Sequence, residues 1–257
     1  MSANQDLELR IADNVARVKA RIAAAAERSG RAAEDVTLVA VTKYVGVRAT
    51  RAIVAAGCTN LGEARPQDLW EKFAAFEKPE ATSVSDSFPS PQPLTASPSI
   101  LWHLIGHLQR NKVRRTLPHV TLIHSVDTER LLQEIDEQSS ALGRVSQILL
   151  EINISGDEAK QGFRPEELGP LLEKMSTFSH VAVRGMMAMS GLHSDAAQTA
   201  REFHSLRELQ DRCQKNCPPQ MLLRELSMGM SDDFEIAIAA GATMVRVGSL
   251  LFEGVSE

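Results

Sequence analysis

The sequence predicts an α/β protein, most simply a single (β/α)8 barrel with an extra N-terminal helix. Three observations lead there. Eight short apolar runs alternate with helical patterns along the chain. The alternation fills 257 residues, a length that suits one such barrel. No Gly-x-Gly-x-x-Gly follows the first strand-like run, which weakens the alternative of an open doubly wound sheet binding a dinucleotide.

Leu7, Ile11, Val15, Val18 and Ile22 recur at helical spacing and mark an amphipathic helix over about 5–29. The apolar run from Val36 to Thr42 is the first strand candidate, and further candidates follow at 58–62, 100–105, 121–126, 147–154, 181–189, 222–226 and 243–247. Helical patterns fall between and after them, at about 48–56, 66–77, 108–116, 128–142, 165–178, 195–215 and 232–240. One segment departs from the alternation. Residues 77–99 hold five of the eleven prolines and many serines, and so little apolar surface that burial cannot offset the cost of ordering them. They read as a flexible loop inserted between the second crossover helix and the third strand of one domain spanning 1–257, because the alternation resumes unchanged after them.

Bulk composition excludes several classes. Hydrophobic content of 43% and charged content of 24% are those of a soluble globular protein. A net charge of -5 argues against a nucleic-acid partner, and the cluster of Arg110, Lys112, Arg114 and Arg115 reads as a solvated helix face. Cys58, Cys213 and Cys217 make an odd count with no paired framework or partnering histidines, so reduced thiols rather than disulfides or zinc are expected. Met1 to Arg10 has no signal-peptide or presequence character, and no apolar stretch is long enough to span a bilayer. These features predict a cytoplasmic protein.

Strand parity locates a site. In a barrel, alternate residues face the interior while their neighbours pack under helices. The first strand places Val39, Val41 and Lys43 on one face and Leu38 and Ala40 on the other. The fifth separates Leu149, Glu151 and Asn153 from Leu150, Ile152 and Ile154, and the eighth separates Met244, Arg246 and Gly248 from Val245 and Val247. Lys43, His103, Asn153 and Arg246 are therefore expected to converge at the barrel mouth, where barrels place their sites. A strand-end lysine there suits an amine that attacks a carbonyl. Two glycine turns follow the last two strands, Ser227-Met228-Gly229-Met230-Ser231 and Gly248-Ser249, in the loops where barrels commonly hold phosphate through backbone N–H groups. Ser231 is expected to cap the following helix, with Asp232 and Asp233 in its first turn, which places an anion against Ser227, Met228, Gly229, Gly248 and Ser249 instead of on that helix tip.

Longer motifs carry a resemblance. Ala40-Val41-Thr42-Lys43, Gly62-Glu63, the run from Trp102 to Lys112, Asn153-Ile154-Ser155-Gly156 with Lys160 and Gly162-Phe163, Gly185-Met186-Met187-Ala188-Met189, the run from Leu226 to Phe234 and Val245-Arg246-Val247-Gly248-Ser249 resemble the pyridoxal phosphate homeostasis proteins, which are related to the N-terminal domain of alanine racemase. The resemblance covers nearly the whole chain. It implies that Lys43 forms a Schiff base with pyridoxal 5'-phosphate (PLP), that Ser227, Met228, Gly229, Gly248 and Ser249 bind its phosphate, and that Arg246 faces the pyridine nitrogen. It also implies carriage and buffering of PLP inside the cell without an established turnover reaction, with PLP-requiring apo-enzymes as possible recipients. The chain departs from the family pattern at Ala64-Arg65, at Leu251-Phe252-Glu253-Gly254 and in the 77–99 loop.

Further expectations follow. Burial beside Arg246 would favour a neutral Lys43 amine. Tyr44 is the one tyrosine and is expected to point away from Lys43; with no second domain after the eighth unit, two-base racemisation is not expected, and a monomer is. The alternatives are a one-base PLP enzyme, such as a weak racemase or lyase, and a barrel binding another phosphorylated metabolite with Lys43 as a plain anion partner.

Overall fold

A computed structural model describes residues 3–77, 99–157, 159–191, 193–218 and 221–255. Eight strands, Thr37–Val41 (β1), Asn60–Glu63 (β2), Leu101–Leu104 (β3), Leu122–Val126 (β4), Ser146–Glu151 (β5), Val181–Met187 (β6), Glu225–Ser227 (β7) and Met244–Val247 (β8), form a closed parallel barrel in sequence order. Closure is made by β8 against β1, with Thr37 opposite Met244 and Ala40 opposite Val247. That pairing removes the doubly wound alternative. The helices are Ala3–Arg28 (α1), Val47–Ala55 (α2), Pro66–Glu77 (α3), Val113–Thr116 (α4), Glu129–Ala141 (α5), Leu168–Lys174 (α6), Ala196–Asn216 (α7) and Phe234–Ala239 (α8). The Pro/Ser-rich insertion expected at 77–99 falls on residues 78–98, outside the described residues.

Parity along the strands sorts the core into two parts. Ala40, Leu150, Val245 and Val247 pack outward under the helices. Val39, Leu122, Leu149, Met187 and Met244 form a separate apolar cluster inside the barrel, with Ile105 against it. Parallel strands buried on both faces explain why the strand runs read as nearly continuous apolar stretches. α1 buries Leu7, Ile11, Val15, Val18 and Ile22 along one stripe, and Asn14 ties it to the chain's last turn by donating to the carbonyls of Leu251 (3.1 Å) and Glu253 (3.0 Å).

Several elements differ from the sequence expectation, three of them near the site or its loops. The helix expected at 108–116 keeps only α4, flanked by 3-10 turns at Arg110–Lys112 and Leu117–His119; Pro118 cannot extend it. β7 starts at Glu225, because the Leu223 amide donates to the Gln214 side chain (2.6 Å) instead of entering a ladder. α8 starts at Phe234, with Asp233 at the N-cap position. Asp233 accepts from the Met230 amide (2.6 Å) and the Ser190 hydroxyl (2.8 Å), while the Ser231 hydroxyl accepts from the Gly248 amide (3.3 Å).

Two close packings shape the upper rim. A Cβ on Gly106 would lie 2.3 Å from the Ala64 carbonyl oxygen, so only glycine lets the loop after β3 lie on the loop after β2. Behind the sheet, the Lys72 ammonium from α3 donates to Glu63 Oε1 and to the Thr42 carbonyl, both at 2.6 Å, and the Thr42 hydroxyl donates to the same Glu63 oxygen (2.5 Å). Glu63 Oε2 is buried and has no hydrogen-bond partner among the described residues. This ion pair grips the last residue before Lys43. Removing one partner from a buried pair leaves an uncompensated charge and costs about 3–5 kcal/mol. Lys72→Met is therefore expected to lower stability by that order, and the Glu63→Gln/Lys72→Met double variant to recover most of it, as read from urea unfolding midpoints.

Candidate functional site at the barrel mouth

Lys43 stands on the mouth rim, in the turn that follows β1. The Val45 amide closes that turn onto the Thr42 carbonyl (3.1 Å). Lys43 is exposed rather than buried, and its Nζ lies 4.7 Å from the centre of the Tyr44 ring. Tyr44, 86% exposed, thus packs with Lys43 and does not point away from it, because β1 ends at Val41 and its alternation stops there.

Arg246 is inside the barrel and 4% exposed. Its Nη1 donates to the Ser227 hydroxyl (2.8 Å) and its Nη2 to the Ala188 carbonyl (3.0 Å), groups at the end of β7 and just beyond β6. The guanidinium therefore reaches mouth level. Burial pulls its pKa down to about 10, against the raising influence of Asp233 and Glu151, and it stays charged at neutral pH.

Below Arg246 lies a row of polar groups. Ser227 Oγ is 2.8 Å from His124 Nδ1, His124 Nε2 is 2.9 Å from His103 Nδ1, and His103 Nε2 is 3.0 Å from Asn60 Oδ1. Ser227 and His124 are fully buried and His103 nearly so. Burial lowers the His103 pKa to about 4. His124 is held well below the usual range by burial, then by His103 and Arg246.

The two late loops are joined to each other. The Arg246 amide donates to the Gly229 carbonyl (2.9 Å), and Ser231 receives the Gly248 amide. Gly229 has φ +88°, and a Cβ there would lie 2.5 Å from the Ala237 Cβ, so the turn requires glycine. Among the described residues, the amides of Gly229 and Ser249 donate to no protein group. Met228 is fully buried, and the Ser227 hydroxyl is turned into the barrel.

Of the four residues expected to converge, Arg246 reaches the mouth from within and Lys43 sits on its rim. His103 lies deeper, in the barrel interior. Asn153 organises its own loop, donating to the Asp157 carbonyl (2.7 Å) and accepting from Ser155 (3.3 Å). It lines a groove of about 1100 Å³ beside the mouth, with Asp127, Lys160, Phe163, Arg164 and Lys174.

Sequence reasoning missed His124, Asp127 and the role of Glu151. Alternation with Leu122 would have turned His124 inward. The register of Val126 with Leu150 sets Asp127, just past the end of β4, beside Glu151 at the end of β5. Glu151 is 7% exposed; burial and then Asp127 push its pKa up to about 7, while Arg246 pulls it down. His107 Nδ1 lies 3.4 Å from Asp127. Among the described residues no cluster could hold a metal ion, and no helix is long and apolar enough to cross a membrane.

The alanine racemase N-terminal domain model matches residues 13–255. The chain is similar to the pyridoxal phosphate homeostasis protein of Pseudomonas aeruginosa, with 36% identity over 94% of each chain. It is likewise similar to that of Aquifex aeolicus, 35% identical over 93% of this chain and 96% of that one. Among solved structures it resembles PipY of Synechococcus elongatus with PLP bound, with 34% identity, 94% of this chain and 99% of that chain covered, and a TM-score of 0.75.

The site carries opposed pH linkages. His103 has its pKa lowered from 6.5 to about 4, so its contribution is complete above pH 6.5 and is lost as pH falls toward 4. Glu151 has its pKa raised from 4.5 to about 7, so its contribution is complete below pH 4.5 and is lost as pH rises toward 7. Each is worth about 3 kcal/mol. Glu151→Gln is expected to raise stability at pH 7.5 and to leave stability climbing from pH 4 to 6.5, measured by chemical denaturation across that range.

Proposed function

The chain belongs to the alanine racemase N-terminal domain family and, within it, to the pyridoxal phosphate homeostasis proteins, and from that membership we propose that it holds PLP at the barrel mouth, as a Schiff base on Lys43, to carry and buffer the cofactor inside the cell. The observation that carries the reading is the meeting of three donor types at one mouth: an accessible primary amine, a buried guanidinium and two joined loops with amides that have no partner among the described residues.

The residues fit that group. The Lys43 amine can reach an aldehyde at the rim. Amides at Gly229 and Ser249 suit a phosphate, with Ser227, Met228 and Gly248 shaping the same two loops. Arg246 can only donate hydrogen bonds, so a ring nitrogen facing it acts as acceptor and stays unprotonated. PLP, when bound, supplies an electron sink, and an unprotonated ring nitrogen weakens it. That chemistry favours keeping the cofactor over turning over an amino acid. Asn153 contributes through the loop it organises.

The proposal extends to a single PLP-binding domain over 1–257, acting as a cytoplasmic monomer that hands PLP to apo-enzymes and has no turnover reaction of its own. Glu151 is the observation that favours the other reading, a one-base PLP enzyme, because a carboxyl with a pKa near 7 beside Arg246 suits proton transfer.

Purified protein incubated with PLP is expected to be yellow and, after borohydride, to carry one pyridoxyl group on the peptide containing Lys43. Lys43→Ala is expected to lose both the colour and the label. No uptake of PLP, or labelling at another lysine with Lys43→Ala unaffected, sinks the assignment. Robust turnover in a screen of amino acids would replace the carrier reading with the enzymatic one.

A further inference from the structure

We infer that His124 and His103 are positioning residues for Arg246, coupled to it through the Ser227 hydroxyl in a one-directional hydrogen-bond chain that runs down the barrel interior to Asn60. The inference rests on the reading above, in which Arg246 faces the bound cofactor.

The direction of the chain follows from what each group can do. Arg246 has no acceptor, so across the 2.8 Å contact it donates and Ser227 Oγ accepts. The Ser227 hydroxyl hydrogen is then directed to His124 Nδ1 at 2.8 Å. A neutral His124 accepting at Nδ1 carries its proton on Nε2 and donates to His103 Nδ1 at 2.9 Å. His103, accepting at Nδ1, donates from Nε2 to Asn60 Oδ1 at 3.0 Å. Every link then has one donor and one acceptor, and both rings are the Nε2–H tautomer. These tautomers are assigned from the network as a whole. Burial keeps both imidazoles uncharged at neutral pH, which the chain requires.

The consequence concerns the serine rotor. A hydroxyl can turn its hydrogen toward any neighbour. If it turned toward Arg246, donor would face donor and the guanidinium would lose that anchor. His124 Nδ1 draws the hydrogen away and leaves the oxygen lone pairs for Arg246. His103 in turn holds His124 in the tautomer that can do this. An imidazolium at either position would reverse the logic, since it has no acceptor. Two of the five guanidinium N–H groups are thereby fixed, on Ser227 and Ala188.

Nitrogen NMR of histidine-labelled protein at neutral pH reads the tautomers, with His103→Gln and His124→Asn assigning the signals. Protons on Nε2 of both rings are expected; an Nδ1–H tautomer or an imidazolium at either position overturns the chain. In PLP-loaded protein, His124→Leu is expected to shift the long-wavelength absorption band, and His124→Phe replaces it should the leucine variant not fold. His124→Asn, whose amide oxygen takes the Nδ1 place, is expected to return the band to its wild-type position. An unshifted band at full loading in the apolar variant overturns positioning, and so does a shift that asparagine fails to reverse, since that is the behaviour of a packing residue. Wild-type protein that takes up no PLP fails the reading of the preceding subsection instead, and the tautomers then decide the chain by themselves.

Discussion

Arg246 keeps its charge inside a closed barrel, and a buried cation demands acceptors and neutral neighbours. The barrel meets that demand from several strands. β7 supplies a hydroxyl, the segment after β6 supplies a carbonyl, and β4 and β3 supply two imidazoles that burial keeps uncharged. Glu151 and Asp233 bring negative charge near enough to raise the Arg246 pKa against desolvation. The same burial pushes Glu151 toward protonation and holds both imidazoles below the usual histidine range, so the pH linkages of Glu151 and His103 have opposite sign. The interior is therefore divided, with an apolar cluster of Val39, Leu122, Leu149, Met187 and Met244 beside one polar column.

The rim depends on different forces. Lys43 is exposed, and what holds its turn lies behind the sheet, where Lys72, Glu63 and Thr42 form a buried knot. On the far side, Gly229 and Gly248 join two loops whose Gly229 and Ser249 amides, among the described residues, have no protein partner. In the proposed reading, an exposed amine faces two loops joined by hydrogen bonds, an arrangement that suits a held cofactor.

Much of the fold was legible because strand and helix periods differ. Alternation alone places Val39, Leu149, Met244 and Arg246 inside and Ala40, Leu150 and Val245 outside, as the packing has them. Short-range competition was less legible. The Gln214 side chain takes the Leu223 amide and shortens β7, and Asp233 displaces Ser231 at the start of α8. Parity also failed just past strand ends: Tyr44 packs with Lys43, and Asn153 turns to its own loop.

By itself the sequence determined the barrel, the inward faces of its strands, the family and the residue types available at the mouth, because period and motif are local properties of the chain. Tertiary structure decided which of those residues meet. His103 reads as a mouth residue from its own strand, yet it lies in the interior and reaches Arg246 only through His124 and Ser227, which come from β4 and β7. Contacts among distant strands depend on barrel stagger and side-chain length, and the pKa shifts that define Glu151, His103 and Arg246 depend on burial, neither of which a linear pattern contains.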